Sequence, residues 1–265
     1  MQLQLKNIHK TFEAGTVNEN HVLKGINLNL EAGEVVTLIG GNGAGKSTLL
    51  NCISGALQPD IGSVEIAGID VTNWSNSKRA GLVSYVFQDP KMGTASRLTI
   101  KENMAIANRR GHKRSLRRGV QKDDLQMMRD QLSRLGLGLE DRLTMEVAYL
   151  SGGQRQALTL LMATLLRPEL LLLDEHTAAL DPKTSEMVLA LTEKIIGEEK
   201  LTALMITHNM ADAIRYGNRL IMLHQGQIIL DVSGEEKKNL TVVELIEMFK
   251  QQSGSDVTSD AMLLA

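Results

Sequence analysis

The chain has 265 residues, 43% hydrophobic and 23% charged, which is ordinary for a globular protein and too apolar for wholesale disorder. A single cysteine, Cys52, excludes an internal disulfide framework, and a net charge of −2 gives no global pull on nucleic acid. No run approaches the ~20 apolar residues that span a bilayer, and Met1-Gln2-Leu3-Gln4-Leu5-Lys6 lacks a signal peptide's basic segment and apolar core, so a cytosolic chain is expected.

In chain order, Leu3 and Leu5 alternate with polar residues, as do Ile26, Leu28 and Leu30 with Asn27 and Asn29. Period-2 patterns of this kind predict half-buried strands. Val35 to Ile39 is an apolar run with β-branched residues that ends in glycines, which predicts a buried strand, and Thr48 to Leu57 reads as a helix. From Met92 to Leu150 no strand pattern appears. Leu125, Met128, Leu132 and Leu135 fall at i, i+3, i+7 and i+10 there, which predicts an amphipathic helix within a helical subdomain.

A helix (Gly152 to Leu166) and a buried strand (Leu170 to Leu173) follow. The next helix opens at Pro182, tolerated at a first helical position because its missing N–H had no partner there, and carries Val188, Leu191 and Ile195 on one face. A strand (Ala203 to Ile206), a short helix and two strands around Gly226 come next. The last helix starts at Thr241, with Glu244 completing a capping box and Val242, Leu245, Ile246 and Phe249 forming its stripe. Gln251 to Ala265 is small and polar and is expected to fray as a flexible tail. Alternating strands and helices predict an α/β fold with a mostly parallel sheet.

Gly40-Gly41-Asn42-Gly43-Ala44-Gly45-Lys46-Ser47 fits G-x-x-x-x-G-K-[ST], with a predicted strand before it and a helix from Thr48 after it. Glycines let backbone N–H groups turn inward around phosphates, and the helix aims its positive end at them. Lys46 can reach the terminal phosphates and the Ser47 hydroxyl can ligate Mg²⁺. Asp174 ends the run Leu170 to Leu173, where a carboxylate can hold Mg²⁺ through water, and Glu175 follows as a candidate general base that polarises the attacking water.

Three further segments set the family. Leu150-Ser151-Gly152-Gly153-Gln154 precedes Asp174, Gln88 follows the apolar segment Leu82 to Phe87, and His208 follows Leu204-Met205-Ile206-Thr207. With the phosphate loop, this order resembles the nucleotide-binding subunit of ABC transporters, over about residues 3 to 232. The resemblance implies a P-loop NTPase core (1–91 and 151–250) with an N-terminal antiparallel β subdomain and an inserted α-helical subdomain (92–150), then a tail (251–265). It implies ATP and Mg²⁺ as ligands. It implies a homodimer joined head to tail, in which Ser151, Gly152, Gly153 and Gln154 face the ATP held by the other subunit's phosphate loop.

The same resemblance gives Gln88 a place at Mg²⁺ or the attacking water, and makes His208 the switch histidine that contacts the γ-phosphate and Glu175. Asp181, in Ala179-Leu180-Asp181, lies in the loop that crosses the dimer interface; locally it reads as a cap for the helix at Pro182. Phe12 matches the aromatic that stacks on adenine, with a core Phe as the competing reading. His9, His21, His112 and His224 are left structural or exposed. His176 stands where the family commonly has Pro; its imidazole either perturbs Glu175 or points to solvent.

Thr159-Leu160-Leu161-Met162-Ala163 also departs from the common pattern. It resembles the branch whose genes sit beside a substrate-binding lipoprotein and a permease, often suggested to import aromatic amino acids. The expected role is therefore an ATPase subunit that powers a separate integral-membrane permease from the cytoplasmic face. The alternatives are an exporter ATPase or a regulatory or assembly ATPase. A chromosome-structure ATPase would need long heptads between Lys46 and Ser151, and no nucleic-acid partner is expected. Arg109, Arg110, Lys113, Arg114, Arg117, Arg118 and Lys122 put seven cations within fourteen positions. They read either as a solvated face or as a contact for anionic headgroups or an acidic permease loop.

Overall fold

The computed structural model describes residues 1–111, 120 and 122–253. The strands are β1 (Leu3–Phe12), β2 (Asn20–Leu30), β3 (Val35–Ile39), β4 (Ile61–Ile66), β5 (Ile69–Asp70), β6 (Val83–Val86), β7 (Leu170–Asp174), β8 (Ala203–Ile206), β9 (Arg219–His224) and β10 (Gln227–Ser233). The helices are α1 (Lys46–Ser54), α2 (Asn76–Arg79), α3 (Ile100–Ala107), α4 (Lys122–Ser133), α5 (Gly152–Thr164), α6 (Pro182–Glu199), α7 (Met210–Arg215), α8 (Gly234–Asn239) and α9 (Val242–Ser253). Two compact units result, residues 1–79 with those from 201 onward, and residues 80–200.

In the first unit, β2, β1, β4 and β5 form an antiparallel sheet. The alternating residues Leu3, Leu5, Ile26, Leu28 and Leu30 are buried, as the pattern predicts. Strand β3 pairs parallel with both β8 and β9, and β9 pairs antiparallel with β10. Helix α9 covers this sheet: its cap is the Thr241–Glu244 box, and Leu245 and Phe249 are fully buried beside Met222 and Val232.

Helix α1 stops at Ser54, three residues before the predicted end. Gly55 takes a left-handed C-cap at φ 80. Arg79, fully buried, donates from Nη1 to the carbonyls of Cys52 and Ile53, both at 2.7 Å. A side chain at Gly55 would meet Arg79 Nε at 2.8 Å, so the glycine also makes room for the guanidinium.

In the second unit, β6 and β7 pair parallel. Helix α5 is buried around nearly its whole surface, as expected of a helix inside a core. Among the described side chains of α4, Met128 and Leu132 are the buried ones, and Leu135, expected to extend its stripe, lies past the helix end at Ser133. The basic run changes character here. Arg110 turns inward and donates to the Ala163 and Leu166 carbonyls at 3.0 and 2.6 Å, at the carboxyl end of α5, and burial lowers its pKa. His112, Lys113, Arg114, Arg117 and Arg118 lie outside the described residues, as does the tail from 254. Gln251–Ser253, expected to fray, continue α9. Among the described residues no helix is long and apolar enough to cross a membrane.

Candidate functional site

The phosphate loop belongs to the first unit. Strand β3 delivers the chain to Gly40, whose missing Cβ would lie 2.2 Å from the Leu223 carbonyl oxygen. Only glycine lets the loop pass so close to β9. The Gly226 amide donates to Ala44 O at 3.1 Å, so the β9–β10 turn also supports the loop. Gly45 enters α1 at φ 104, and no side chain caps the helix. The first turn of α1 therefore keeps its positive end for an anion.

Lys46, only 7% exposed, arches over the loop and donates from Nζ to the carbonyls of Gly40 at 2.6 Å and Gly41 at 3.3 Å. Asn42, Gly43 and Ser47 are exposed, and Thr48 is half-buried. A cradle of glycines, an ammonium across its mouth and an open hydroxyl fit the phosphates of a nucleotide and a hard cation such as Mg²⁺.

Phe12 closes β1 opposite Asn20 and is 36% exposed, so it is not a core residue. Lys10 Nζ lies 5.8 Å from its ring centroid and also binds Asp60 at 2.7 Å. His9 and His21 hydrogen-bond to each other at 3.2 Å, and His224 packs edge-on against Phe249. His208 is exposed after β8, one residue before Asn209, which caps α7 through the Asp212 amide at 2.9 Å.

The second unit holds the acidic residues. Parallel pairing of β6 and β7 sets Tyr85 opposite Leu172, and the Tyr85 hydroxyl donates to Asp174 Oδ2 at 2.6 Å. Burial, then the bond and charge of Asp174, push the Tyr85 phenol well up, so it stays a donor. Gln88 Nε2 donates to Glu175 Oε2 at 3.3 Å, which brings two predicted residues together. Glu175 itself sits in the left-handed region at φ 44. Such a backbone in a non-glycine residue marks a position held by its surroundings.

His176 does not point to solvent, a correction to that expectation. It is 2% exposed, and its Nε2 lies 3.0 Å from Thr192 Oγ1 on α6. The Thr192 hydroxyl gives its single proton to the Val188 carbonyl at 2.8 Å, so Nε2–H is the donor to it. Burial lowers the His176 pKa to about 4.

Ser151 caps α5: its Oγ accepts from the Gln154 amide at 3.3 Å, while Gln154 Oε1 accepts from the Ser151 amide at 3.2 Å. Gly152 is exposed and Gly153 is buried, where a Cβ would meet Thr184 Cγ2 at 2.2 Å. Asp181 caps α6 through the Thr184 amide at 3.1 Å, its local reading. Tyr85, Thr192 and Arg79 escape a sequence reading, as does the inward turn of Arg110. Only strand parity between Tyr85 and Phe87 marks one of them in advance.

The ABC transporter family model matches residues 23–178. A tyrosine transport ATP-binding protein of Clostridioides difficile (strain R20291) is 45% identical over 248 residues, 94% of this chain and 98% of that protein. A phosphonates import ATP-binding protein of Ruegeria sp. (strain TM1040) is 36% identical, over 86% of this chain and 88% of its own. Among solved structures, a dimeric ATP-binding cassette in a post-hydrolysis state with ADP and Pi matches with a TM-score of 0.74 at 29% identity, covering 87% of this chain and 98% of that one. The ADP conformation of another ABC transporter cassette gives 0.77 at 26% identity, covering 94% and 98%. The chain belongs to the ABC transporter family, as a subunit that binds ATP with Mg²⁺ and hydrolyses it to energise a separate transmembrane permease.

Proposed function

We propose that this chain powers the import of a small amino-acid-like solute, as a homodimer that closes head to tail on two ATP molecules at the cytoplasmic face of the membrane. The similarity to a tyrosine transport ATP-binding protein over nearly the full length of both chains supports the solute class. A substrate-binding lipoprotein is the expected third component of such a system.

The site residues divide the work. The amides of Gly40 to Thr48 and the Lys46 ammonium bind the phosphates, and Phe12 offers its exposed face to adenine. Ser47 and Asp174 would hold Mg²⁺, with Gln88 near it, and the ion supplies charge neutralisation on the phosphates when bound. Glu175 polarises the attacking water, and His208 holds the γ-phosphate side. Ser151, Gly152, Gly153 and Gln154 reach the partner copy's ATP, and the Asp181 loop lies at that interface. Closure passes through the Gln88 segment to the helical subdomain, 92–150, and from there to the permease.

The observation that carries the hydrolytic reading is Glu175 itself: directly after Asp174, forced into a left-handed backbone, its carboxylate 3.3 Å from Gln88 Nε2. Glu175→Gln should keep ATP binding, lose at least ~100-fold of turnover and accumulate ATP-bound dimers. Parent-level hydrolysis in that variant would overturn Glu175 as the base. Uptake of labelled tyrosine or tryptophan into permease vesicles, with phosphonate as the comparison, tests the solute class.

A further inference from the structure

The direction of the Asp174 carboxylate is fixed by a residue outside the motifs that mark the family. Strand β6 runs parallel to β7 with Val86 opposite Leu173, so Tyr85 comes up beside the end of β7. Strand alternation separates its residues. Val86 is buried, and buried Ser84 donates from Oγ to the Ala163 carbonyl at 2.6 Å. Tyr85 and Phe87 share the other face, and their rings pack at a 32° tilt with centroids 4.5 Å apart. The Tyr85 hydroxyl lies 2.6 Å from Asp174 Oδ2, across 89 residues of sequence.

We infer that Tyr85 is a positioning residue for metal binding, an inference that rests on Asp174 being the Mg²⁺-side carboxylate. An O–H donated to an ionised carboxylate is short and strong, and it fixes the rotation of the whole group. The phenol takes one lone pair of Oδ2, which leaves Oδ1 the less engaged oxygen for the ion or its water. The carboxylate is thus oriented before the metal arrives, and the ordering cost is not charged to binding. Partners of this kind around a metal ligand contribute ~10- to 100-fold to metal affinity.

The test is Tyr85→Phe, which keeps the ring and its contact with Phe87 and removes one oxygen. Mn²⁺ is titrated into protein saturated with a non-hydrolysable ATP analogue, and free Mn²⁺ is read by electron paramagnetic resonance. Mn²⁺ affinity should fall ~10-fold, while affinity for the analogue in the presence of a chelator stays at the parent value. Phe87→Leu loses the neighbouring ring but keeps the phenol and should bind Mn²⁺ like the parent. Asp174→Asn separates this inference from the reading beneath it. If Asp174→Asn weakens Mn²⁺ and Tyr85→Phe does not, Tyr85 has no positioning role. If Asp174→Asn leaves Mn²⁺ binding intact, the assignment of Asp174 itself is wrong. Equal weakening in Tyr85→Phe and Phe87→Leu would reduce Tyr85 to packing.

Discussion

Helix α1 begins after Gly45, which has no side chain to cap it, whereas α5 begins after Ser151, which closes a reciprocal cap with Gln154. Both starts are glycine-rich, and both helices end on an inward-turned arginine: Arg79 at the Cys52 and Ile53 carbonyls, Arg110 at those of Ala163 and Leu166. The negative ends are thus treated alike and the positive ends differently. A helix whose first-turn amides are left for a ligand is completed by that ligand. A helix capped by its own serine is complete without one. The cap still leaves Ser151 something to give: a hydroxyl has one donor and two acceptor sites, and the cap uses an acceptor. The structural and the functional readings of Ser151 are therefore compatible.

The sharpest way to break the contrast is at Gly40, because the open end of α1 depends on the loop reaching it. Gly40→Ala would drive a Cβ to 2.2 Å from the Leu223 carbonyl oxygen, a backbone atom with no flexible side chain to yield. ATP affinity should fall by at least ~100-fold, equivalent to about 2.7 kcal/mol, measured with a fluorescent nucleotide. Affinity within threefold of the parent would show that the loop tolerates a different path.

The next effect concerns the acidic strand end. The unfolded chain protonates His176 below its ordinary value of 6.5, while the folded chain holds it neutral down to about 4. The unfolded state then binds more protons, so this contribution to stability is present above pH 6.5 and is lost as pH falls toward 4. The loss is on the order of 3 kcal/mol at ~1.4 kcal/mol per unit. His176→Asn keeps a donor for Thr192 and cannot titrate. Urea unfolding of both proteins should diverge over that window, with the parent falling more steeply; parallel curves would refute the burial account.

Gly153 is smaller still, and it tests the closed helix. A Cβ there would meet Thr184 Cγ2 at 2.2 Å, where a side chain can move aside. Gly153→Ala should cost about 1–3 kcal/mol, the range for overpacking, read as a lower thermal midpoint. Exposed Gly152→Ala, with Leu180 Cδ2 at 3.3 Å, should cost less.

These positions also show what a sequence reveals. The Thr241–Glu244 cap, the buried β3 run and the phosphate loop are local, since their meaning lies within a few residues. The order of the motifs was legible for the same reason. Non-local contacts were not. Tyr85 acquires its role only because β6 lies beside β7 in one register. His176 reads as either a neighbour of the base or a solvent-facing ring until α6 supplies Thr192 sixteen residues later. Arg110 belongs to a charge run by sequence and to the end of α5 by structure. Glu175 was legible as chemistry, but not its left-handed backbone, because nothing in the residue type favours φ 44.

The finest test returns to Ser151. Replacing a serine cap by alanine costs about 1 kcal/mol, and by glycine only a few tenths. Ser151→Ala and Ser151→Gly both lack the hydroxyl, yet they differ in what they do to the helix end. Thermal midpoints should therefore rank parent, then glycine, then alanine. ATPase rates answer a different question. If the Ser151 hydroxyl donates to the partner copy's γ-phosphate, both variants lose turnover by the same factor, because both lost the same donor. If the hydroxyl only caps α5, turnover follows the thermal ranking and Ser151→Gly stays near the parent.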